Sequence, residues 1–214
     1  RNDMIKLVIF DLDGVLVDAC EWHRVALNEA LIKVCDYEIS MEDHRNEFNG
    51  IPTIVKLEKL TERGILEIDL HEEVYKLKQE NTKALIARGT SVRQEKVDLF
   101  RWLKSKDIKV ACFTNSIRET AGLMLKNTGI YEFFDMIVTN NDVLNPKPSA
   151  EGYLKILDYL DISASNSMIL EDSPIGVKAA KASGCKVLTV NNPDEVNIKI
   201  IEEFINENFD TNGR

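Results

Sequence analysis

One stretch near the start of the chain limits its fold more than any other. Four apolar residues, Leu7 to Phe10, are followed at once by Asp11, Leu12, Asp13 and Gly14. Such a run is typical of a strand buried in a parallel sheet, where ligands bind beyond the carboxyl ends of the strands. The chain turns at Gly14, so both carboxylates can face one site, and a metal ion or a shared proton is expected between them. An ordinary Asp-Gly turn after a strand is the alternative.

Composition and charge exclude several classes of partner. The 214 residues carry a formal net charge of -9, with 44% apolar and 29% charged side chains. This surplus of negative charge argues against nucleic acid or an anionic membrane as a partner. The four cysteines occur singly, without the spacing of a zinc or redox site, and we recognise no signal peptide or membrane-length apolar run. We therefore expect a cytoplasmic monomer that acts on a small molecule.

The order of predicted elements indicates an α/β domain with a helical insertion. After the first strand the pattern is helical, with helices predicted over 18–35, 40–49, 52–64 and 69–89. From Ser91 onward, helices alternate with strands predicted over 108–113, 136–138, 168–170 and 186–190. This alternation predicts a Rossmann-like parallel sheet with helices on both faces. We predict an α/β catalytic core of residues 1–15 and 91–214, and a helical cap of residues 16–90.

Polar residues with complementary chemistry follow the predicted strands. Because parallel strands end at one edge of a sheet, we expect a cluster there of Asp11, Asp13, Thr114, Asn115, Lys147, Glu171 and Asp172. Its carboxylate oxygens suit Mg²⁺. The Thr114 hydroxyl and the backbone N–H groups of Asn115 and Ser116, which would open a helix, suit a phosphate, and Lys147 adds positive charge. Metal, anion cradle and carboxylate nucleophile together indicate phosphoryl transfer through an aspartyl-phosphate.

Each of these segments also has an ordinary explanation when it is taken alone. Residues 114–116 are a typical N-cap cluster, and Lys147 between two prolines is typical of a solvated loop. Residues 171–174 make a good helix start, because acidic residues and a first-position proline both favour one. The shared position of all the segments at one sheet edge favours the functional interpretation.

Taken together, the motifs resemble those of the haloacid dehalogenase superfamily of phosphatases and phosphomutases. Residues 11–18 (Asp-Leu-Asp-Gly-Val-Leu-Val-Asp) are similar to its first motif, and Thr114-Asn115 to its second. Lys147-Pro148 is similar to the third motif and residues 170–177 to the fourth. The helical insertion directly after the first motif resembles the β-phosphoglucomutase-like branch, whose cap closes over the site.

The resemblance implies a role for each motif residue. Asp11 would be the nucleophile, and Asp13 would protonate the leaving oxygen and then help water attack the phosphoenzyme. The metal ligands would be Asp11, Asp13 (through its backbone carbonyl), Glu171 (directly or through water) and Asp172. The transferring phosphoryl group would be held by Thr114, Asn115 and Lys147.

The predicted cap departs from the mutase pattern in one respect. An arginine that grips a second phosphate is expected soon after the cap's glycine, but Gly50 is followed by residues 51–56 without one. Lys56 is not a bidentate equivalent, and His23 on the first cap helix is either a site residue or an ordinary exposed histidine. These three, Gly50, Lys56 and His23, are the candidate substrate contacts of the cap.

The sequence favours a Mg²⁺-dependent phosphatase of small phosphorylated metabolites, with sugar phosphates as the expected class. The first alternative is a β-phosphoglucomutase-like hexose-phosphate mutase that returns the phosphoryl group to sugar. A receiver-like signalling domain, which also combines acids, a lysine and Mg²⁺ around a phosphorylated aspartate, is the third hypothesis. The long helical insertion argues against it, because a surface read by a protein partner needs no cap.

Overall fold

The computed structural model describes residues 3–212, and it contains a five-stranded sheet in which every pairing is parallel. Its strands are β1 (Leu7–Phe10), β2 (Lys109–Phe113), β3 (Met136–Val138), β4 (Ser167–Glu171) and β5 (Lys186–Thr189), in the spatial order β3-β2-β1-β4-β5. The first strand in the chain is therefore the central one. At its end, Phe10 lies opposite Cys112 of β2 and Leu170 of β4. The predicted α/β fold with a parallel sheet is confirmed.

The four helices predicted between residues 18 and 89 agree with the structure to within one helical turn. The α-helices of the described residues are α1 (Cys20–Cys35), α2 (Met41–Asp43), α3 (Thr53–Glu62), α4 (His71–Gly89), α5 (Gln94–Ser105), α6 (Arg118–Asn127), α7 (Glu151–Leu160), α8 (Pro174–Ala182) and α9 (Ile198–Asn208). A π-helical turn, His44–Phe48, continues α2. Between residues 3 and 212, none of these helices combines the length and apolar character that a membrane span requires.

The chain divides into two compact units, one of the segments up to Asp18 and from Ser91 onward, the other of residues 19–90. The sequence placed the first boundary three residues earlier, between 15 and 16. In the structure, the backbone N–H groups of Leu16 and Val17 bond to the Leu12 carbonyl, and Gly14 N–H bonds to the Val17 carbonyl. These bonds fold residues 12–17 into a turn that continues β1, so the division follows Asp18.

Helices pack against both faces of the sheet. On one face, Leu7 and Ile9 of β1 belong to a buried core that includes Tyr153 of α7. On the other, the ring of Phe10 lies 5.1 Å from that of Phe100 on α5. Because both faces are covered, all four side chains of β1 are buried, and each stabilises the fold by about 2 kcal/mol.

The unit of residues 19–90, all of which the structure describes, is helical and has a core of its own. Leu31 of α1, Leu60 of α3 and Val74 of α4 are among its buried residues. The buried Asn28 side chain bonds to both backbone groups of Ile39, accepting at 2.9 Å and donating at 3.1 Å. These two bonds satisfy the amide and fix the segment that follows α1.

Substitution of two helical glycines, Gly152 on α7 and Gly122 on α6, tests how closely α7 packs against the sheet. A Cβ on Gly152 of α7 would overlap the ring of Phe113 on β2, whereas a Cβ on Gly122 of α6 would meet nothing within 4 Å. Gly152→Ala should lower the free energy of unfolding by about 1–3 kcal/mol through overpacking. Gly122→Ala, the matched control, should leave it unchanged or raise it by up to about 1 kcal/mol. Denaturant unfolding measures both, and equal values for the two variants would contradict this packing.

Candidate active site

The carboxyl ends of β1 and β4 bring three acidic side chains together. Asp11 directly follows β1, Glu171 ends β4 and Asp172 comes next. One carboxylate oxygen from each of the three lies within 4.8 Å of the other two. Asp11 and Glu171 are buried, at 8% and 0% exposure. The structure thus groups the side chains of three of the four predicted metal ligands.

The ammonium group of Lys147 lies among these carboxylates. Its Nζ donates to Asp11 Oδ1 at 2.9 Å, to Glu171 Oε1 at 2.6 Å and to the Phe113 carbonyl at 2.8 Å. The three acceptors match the three protons of a lysine ammonium. Burial opposes the charge, but the Asp11 and Glu171 carboxylates outweigh it and raise the pKa of Lys147 above its ordinary value. The side chain is therefore a fixed positive charge beside Asp11.

Asn115 fixes the position of Lys147 from the neighbouring strand end. Its Oδ1 accepts from the Lys147 backbone N–H at 2.9 Å, and its Nδ2 donates to the Lys147 carbonyl at 3.3 Å. The sequence assigned Asn115 to phosphate binding, and this clamp on the lysine backbone is a role it missed. An asparagine directly after a strand gives no local sign of which distant backbone it will bond.

The carboxylate of Asp13 is held by the loop after β2. Its Oδ2 accepts from Ser116 Oγ at 2.7 Å, and the Ser116 backbone N–H donates to Thr114 Oγ1 at 3.0 Å. The prediction that the N–H groups of Asn115 and Ser116 open a helix was wrong, because α6 begins only at Arg118. The Thr114 hydroxyl accepts the Ser116 N–H and supports a short loop before the helix. The Ser116 hydroxyl is a further contact of the site, because the sequence predicted a role only for the backbone N–H of this residue.

Two residues on helices, Tyr153 of α7 and Gly176 of α8, determine the position of the Glu171 carboxylate. Tyr153 of α7, which lies in none of the sequence motifs, donates its hydroxyl to Glu171 Oε1. Glu171 Oε2 is buried and has no hydrogen-bond partner among residues 3–212. A Cβ on Gly176 of α8 would overlap this carboxylate, so only glycine leaves room for it. A tyrosine on a buried helix face needs a partner for its hydroxyl, and that was the available signal.

The candidate cap residues lie in the helical unit. His23 on α1 has its Nδ1 2.9 Å from Lys78 Nζ on α4. Lys56 is buried on α3, and Gly50, in the loop before α3, has a φ of +84° that favours glycine. Within this unit, His23 thus contacts Lys78 and Lys56 is buried, and the role of both toward a substrate stays a prediction.

His44, in the π-helical turn, is buried among basic groups of the same unit. Burial, together with the positive charges of Lys56 and Arg24, lowers the pKa of His44 to about 4, against a smaller opposing effect of Glu21. The imidazole is therefore neutral in the folded unit at neutral pH.

The comparisons with known proteins agree with the geometry of the strand ends. Residues 8–190 match the family model described as haloacid dehalogenase-like hydrolase. The chain belongs to this family. It is 30% identical over 186 residues to the phosphorylated carbohydrates phosphatase of Thermotoga maritima, covering 84% of this chain and 82% of that protein. The match confirms that the four sequence motifs are those of the haloacid dehalogenase superfamily. It also supports the prediction that the protein is a phosphoric monoester hydrolase.

Solved structures resemble this hydrolase over most of its length. CbbY from Rhodobacter sphaeroides, solved with xylulose-(1,5)bisphosphate, is 26% identical, with a TM-score of 0.78, over 87% of this chain and 86% of that one. β-Phosphoglucomutase from Clostridium difficile superposes with a TM-score of 0.82 over 95% of this chain and 98% of that one. Its identity is 24%, so the likeness shows the fold alone.

The charges of the hydrolase site fit a divalent cation. Burial raises the pKa values of Glu171 and Asp172, and the Asp11 carboxylate raises both further. One lysine does not balance three clustered carboxylates, and Glu171 Oε2 has no hydrogen-bond partner among the residues described. A cation bound to these oxygens would supply both the charge and the missing contact.

A pH dependence of stability follows from His44. Its pKa is about 4 in the folded unit against 6.5 as an ordinary value, so unfolding takes up a proton between these limits. Stability should therefore fall by roughly 2–3 kcal/mol as the pH drops from 6.5 to 4, and His44→Asn should remove that fall. Denaturant unfolding at several pH values, followed by Trp22 fluorescence in a Trp102→Phe background, measures it. If the free energy of unfolding fell equally with pH in His44→Asn and in the parent, His44 would not be the cause of the fall.

Gly176 offers a test of the cation site. Gly176→Ala should displace the Glu171 carboxylate and weaken Mn²⁺ binding at least about tenfold, as loss of a metal-site support commonly does. Calorimetric titration of the full chain measures the dissociation constant. Gly122→Ala adds the same methyl group away from the site and should bind Mn²⁺ as the parent does. An unchanged constant in Gly176→Ala would exclude Glu171 as part of the cation site.

Proposed function

We propose that this hydrolase is a Mg²⁺-dependent phosphatase of small phosphorylated metabolites, with phosphorylated carbohydrates as the expected class. The observation that carries the proposal is the buried contact of Lys147 Nζ with Asp11 Oδ1, within a group of three carboxylates. A carboxylate nucleophile and a phosphate dianion repel each other, and fixed positive charge beside the nucleophile offsets that repulsion. The substrate class is supported by the carbohydrate phosphatase of Thermotoga maritima and by the CbbY complex with a sugar bisphosphate.

The cation would be held by Asp11, Glu171 and Asp172, with the backbone carbonyl of Asp13 as a further ligand. When bound, it supplies positive charge to the oxygens of the transferring phosphoryl group. Mg²⁺ is the expected ion because the donors are all oxygen atoms.

Asp11 and Asp13 have different roles in the proposed reaction, Asp11 as the nucleophile and Asp13 as the general acid and base. Asp11 attacks phosphorus and forms an aspartyl-phosphate, while the ester P–O bond breaks and the leaving oxygen takes a proton from Asp13. Asp13 then accepts a proton from water as the water oxygen attacks phosphorus and the P–O bond to Asp11 breaks. Inorganic phosphate leaves, and the Asp11 carboxylate is restored. Ser116 supports this role because it already holds the Asp13 carboxylate at Oδ2.

A mutase would use the same aspartyl-phosphate but return the phosphoryl group to sugar. It must grip a second phosphate, and no arginine lies among residues 51–56 after Gly50. We therefore propose hydrolysis, and treat isomerisation as the outcome that would contradict it. Membership of a hydrolase family disfavours the receiver-domain hypothesis.

The experiment that tests the function combines two substitutions with a panel of sugar phosphates. Asp11→Asn should abolish turnover, because an amide does not form the acyl phosphate. Asp13→Asn should lower kcat by about 10²–10⁴ through loss of general acid and base catalysis. The assays are release of inorganic phosphate with Mg²⁺ and with a chelator, and isomerisation of β-glucose 1-phosphate.

Asp158→Asn is the matched control, since Asp158 lies exposed on α7 and should keep the parent's activity. Turnover in Asp11→Asn equal to the parent's would exclude Asp11 as the nucleophile. Isomerisation with negligible phosphate release would show that the protein is a mutase and not a phosphatase. Full activity in the presence of the chelator would exclude a requirement for a metal ion.

A further inference from the structure

We propose that Tyr153 is a positioning residue for the metal ligand Glu171. Its hydroxyl holds one carboxylate oxygen, so that the other is presented to the cation. The inference rests on the proposed function, in which Glu171 binds a divalent cation directly or through water. It assigns a role to a residue that the motifs do not include.

The hydrogen bonds at Glu171 are arranged unequally on its two oxygens. Oε1 accepts from both the Tyr153 hydroxyl and Lys147 Nζ, the latter at 2.6 Å. Oε2, although buried, has no hydrogen-bond partner among residues 3–212. A buried carboxylate oxygen without a donor is unfavourable unless a cation completes it. Two donors on one oxygen therefore leave the other as the coordinating atom.

Packing fixes the Tyr153 hydroxyl in place. The side chain is fully buried, and its ring meets that of Phe113 edge-on, at 4.9 Å between centroids and an interplanar angle of 86°. The preceding residue is Gly152, where a Cβ would overlap the Phe113 ring, so α7 lies as close to β2 as a glycine allows. The hydroxyl is thus held by a rigid core, and a donor held in this way orients the carboxylate it bonds.

The hydroxyl is the part of Tyr153 that packing alone does not explain. A phenylalanine would fill the same space and make the same ring contact with Phe113. The bond runs from the Tyr153 hydroxyl, which carries its proton at neutral pH, to Glu171 Oε1. Without this donor, Lys147 alone would hold Oε1, and the carboxylate would be free to turn.

Tyr153→Phe in the full chain tests the role, with Tyr159→Phe as the matched control. Tyr159 lies on the same helix but is 72% exposed. Calorimetric titration with Mn²⁺ should show a dissociation constant about 10-fold higher in Tyr153→Phe and an unchanged one in Tyr159→Phe. At saturating Mg²⁺, kcat should recover to near the parent's value, because the variant loses metal affinity and no reacting group.

The outcomes separate this inference from the proposed function. If the parent chain binds no Mn²⁺, the proposed metal dependence fails. If the parent binds and folded Tyr153→Phe binds equally well, only the role of Tyr153 fails. A purely structural role would lower the unfolding temperature in a chelator and leave the dissociation constant unchanged.

A second measurement decides the question even if the variant does not fold. The parent chain with 3-fluorotyrosine at position 153 keeps the hydroxyl, and its ¹⁹F resonance should move with Mg²⁺ over the same range as binding. The same label at position 159 should not respond. A resonance at 153 that stays fixed while Mg²⁺ binds would overturn the proposal.

Discussion

The buried ammonium group of Lys147 is the interaction on which the rest of the site depends. Asp11 and Glu171 lie at the ends of two adjacent strands of a parallel sheet, in a place closed to bulk water. Carboxylates there are stable only if positive charge and hydrogen bonds compensate for lost hydration. Lys147 bonds to both carboxylates and to a backbone carbonyl, and so supplies positive charge that is always present. The proposed divalent cation would supply further positive charge when it is bound.

The support of Lys147 comes from several segments of the fold. The Asn115 side chain clamps the backbone of the lysine, and Asn115 itself follows β2. Beneath the ammonium lie the rings of Phe113 and Tyr153, at 4.8 and 5.4 Å from Nζ to the ring centroids. Aromatic faces attract a cation, so the hydrophobic core also contributes to holding the charge. Core packing and site geometry are therefore set by some of the same side chains.

Strand order explains why these segments converge. Because β1 is central, its end has neighbours on both sides, β2 with Thr114 to Ser116 and β4 with Glu171. The chain needs long crossovers to make such parallel pairs, and the helices of those crossovers cover both faces. The helical unit of residues 19–90 follows the first strand, where the turn of residues 12–17 ends. The position of the site is thus a consequence of topology, and the residues at the strand ends decide its chemistry.

The sequence by itself determined the sheet, the helical insertion and the residues at the strand ends. Each of these follows from local patterns, such as the apolar run before Asp11 or the alternation of strand and helix after Ser91. Family motifs added roles for those residues, and family membership was then shown independently. The polar residues 114–116 predicted the start of α6 too early. In the structure, the Thr114 hydroxyl accepts the Ser116 N–H, and the helix begins only at Arg118.

Only the tertiary structure decided how the site residues hold one another. Ser116 reaches Asp13 across 103 positions of the chain, and Asn115 bonds the Lys147 backbone across 32. Tyr153 and Glu171 are separated by 18 residues and belong to a helix and a strand. Such contacts depend on how closely whole elements approach, as Gly152 against Phe113 illustrates, and no periodicity in the sequence records that distance. The sequence therefore determined which groups gather at the sheet edge, and packing decided which side chains hold the carboxylate oxygens of Asp11, Asp13 and Glu171.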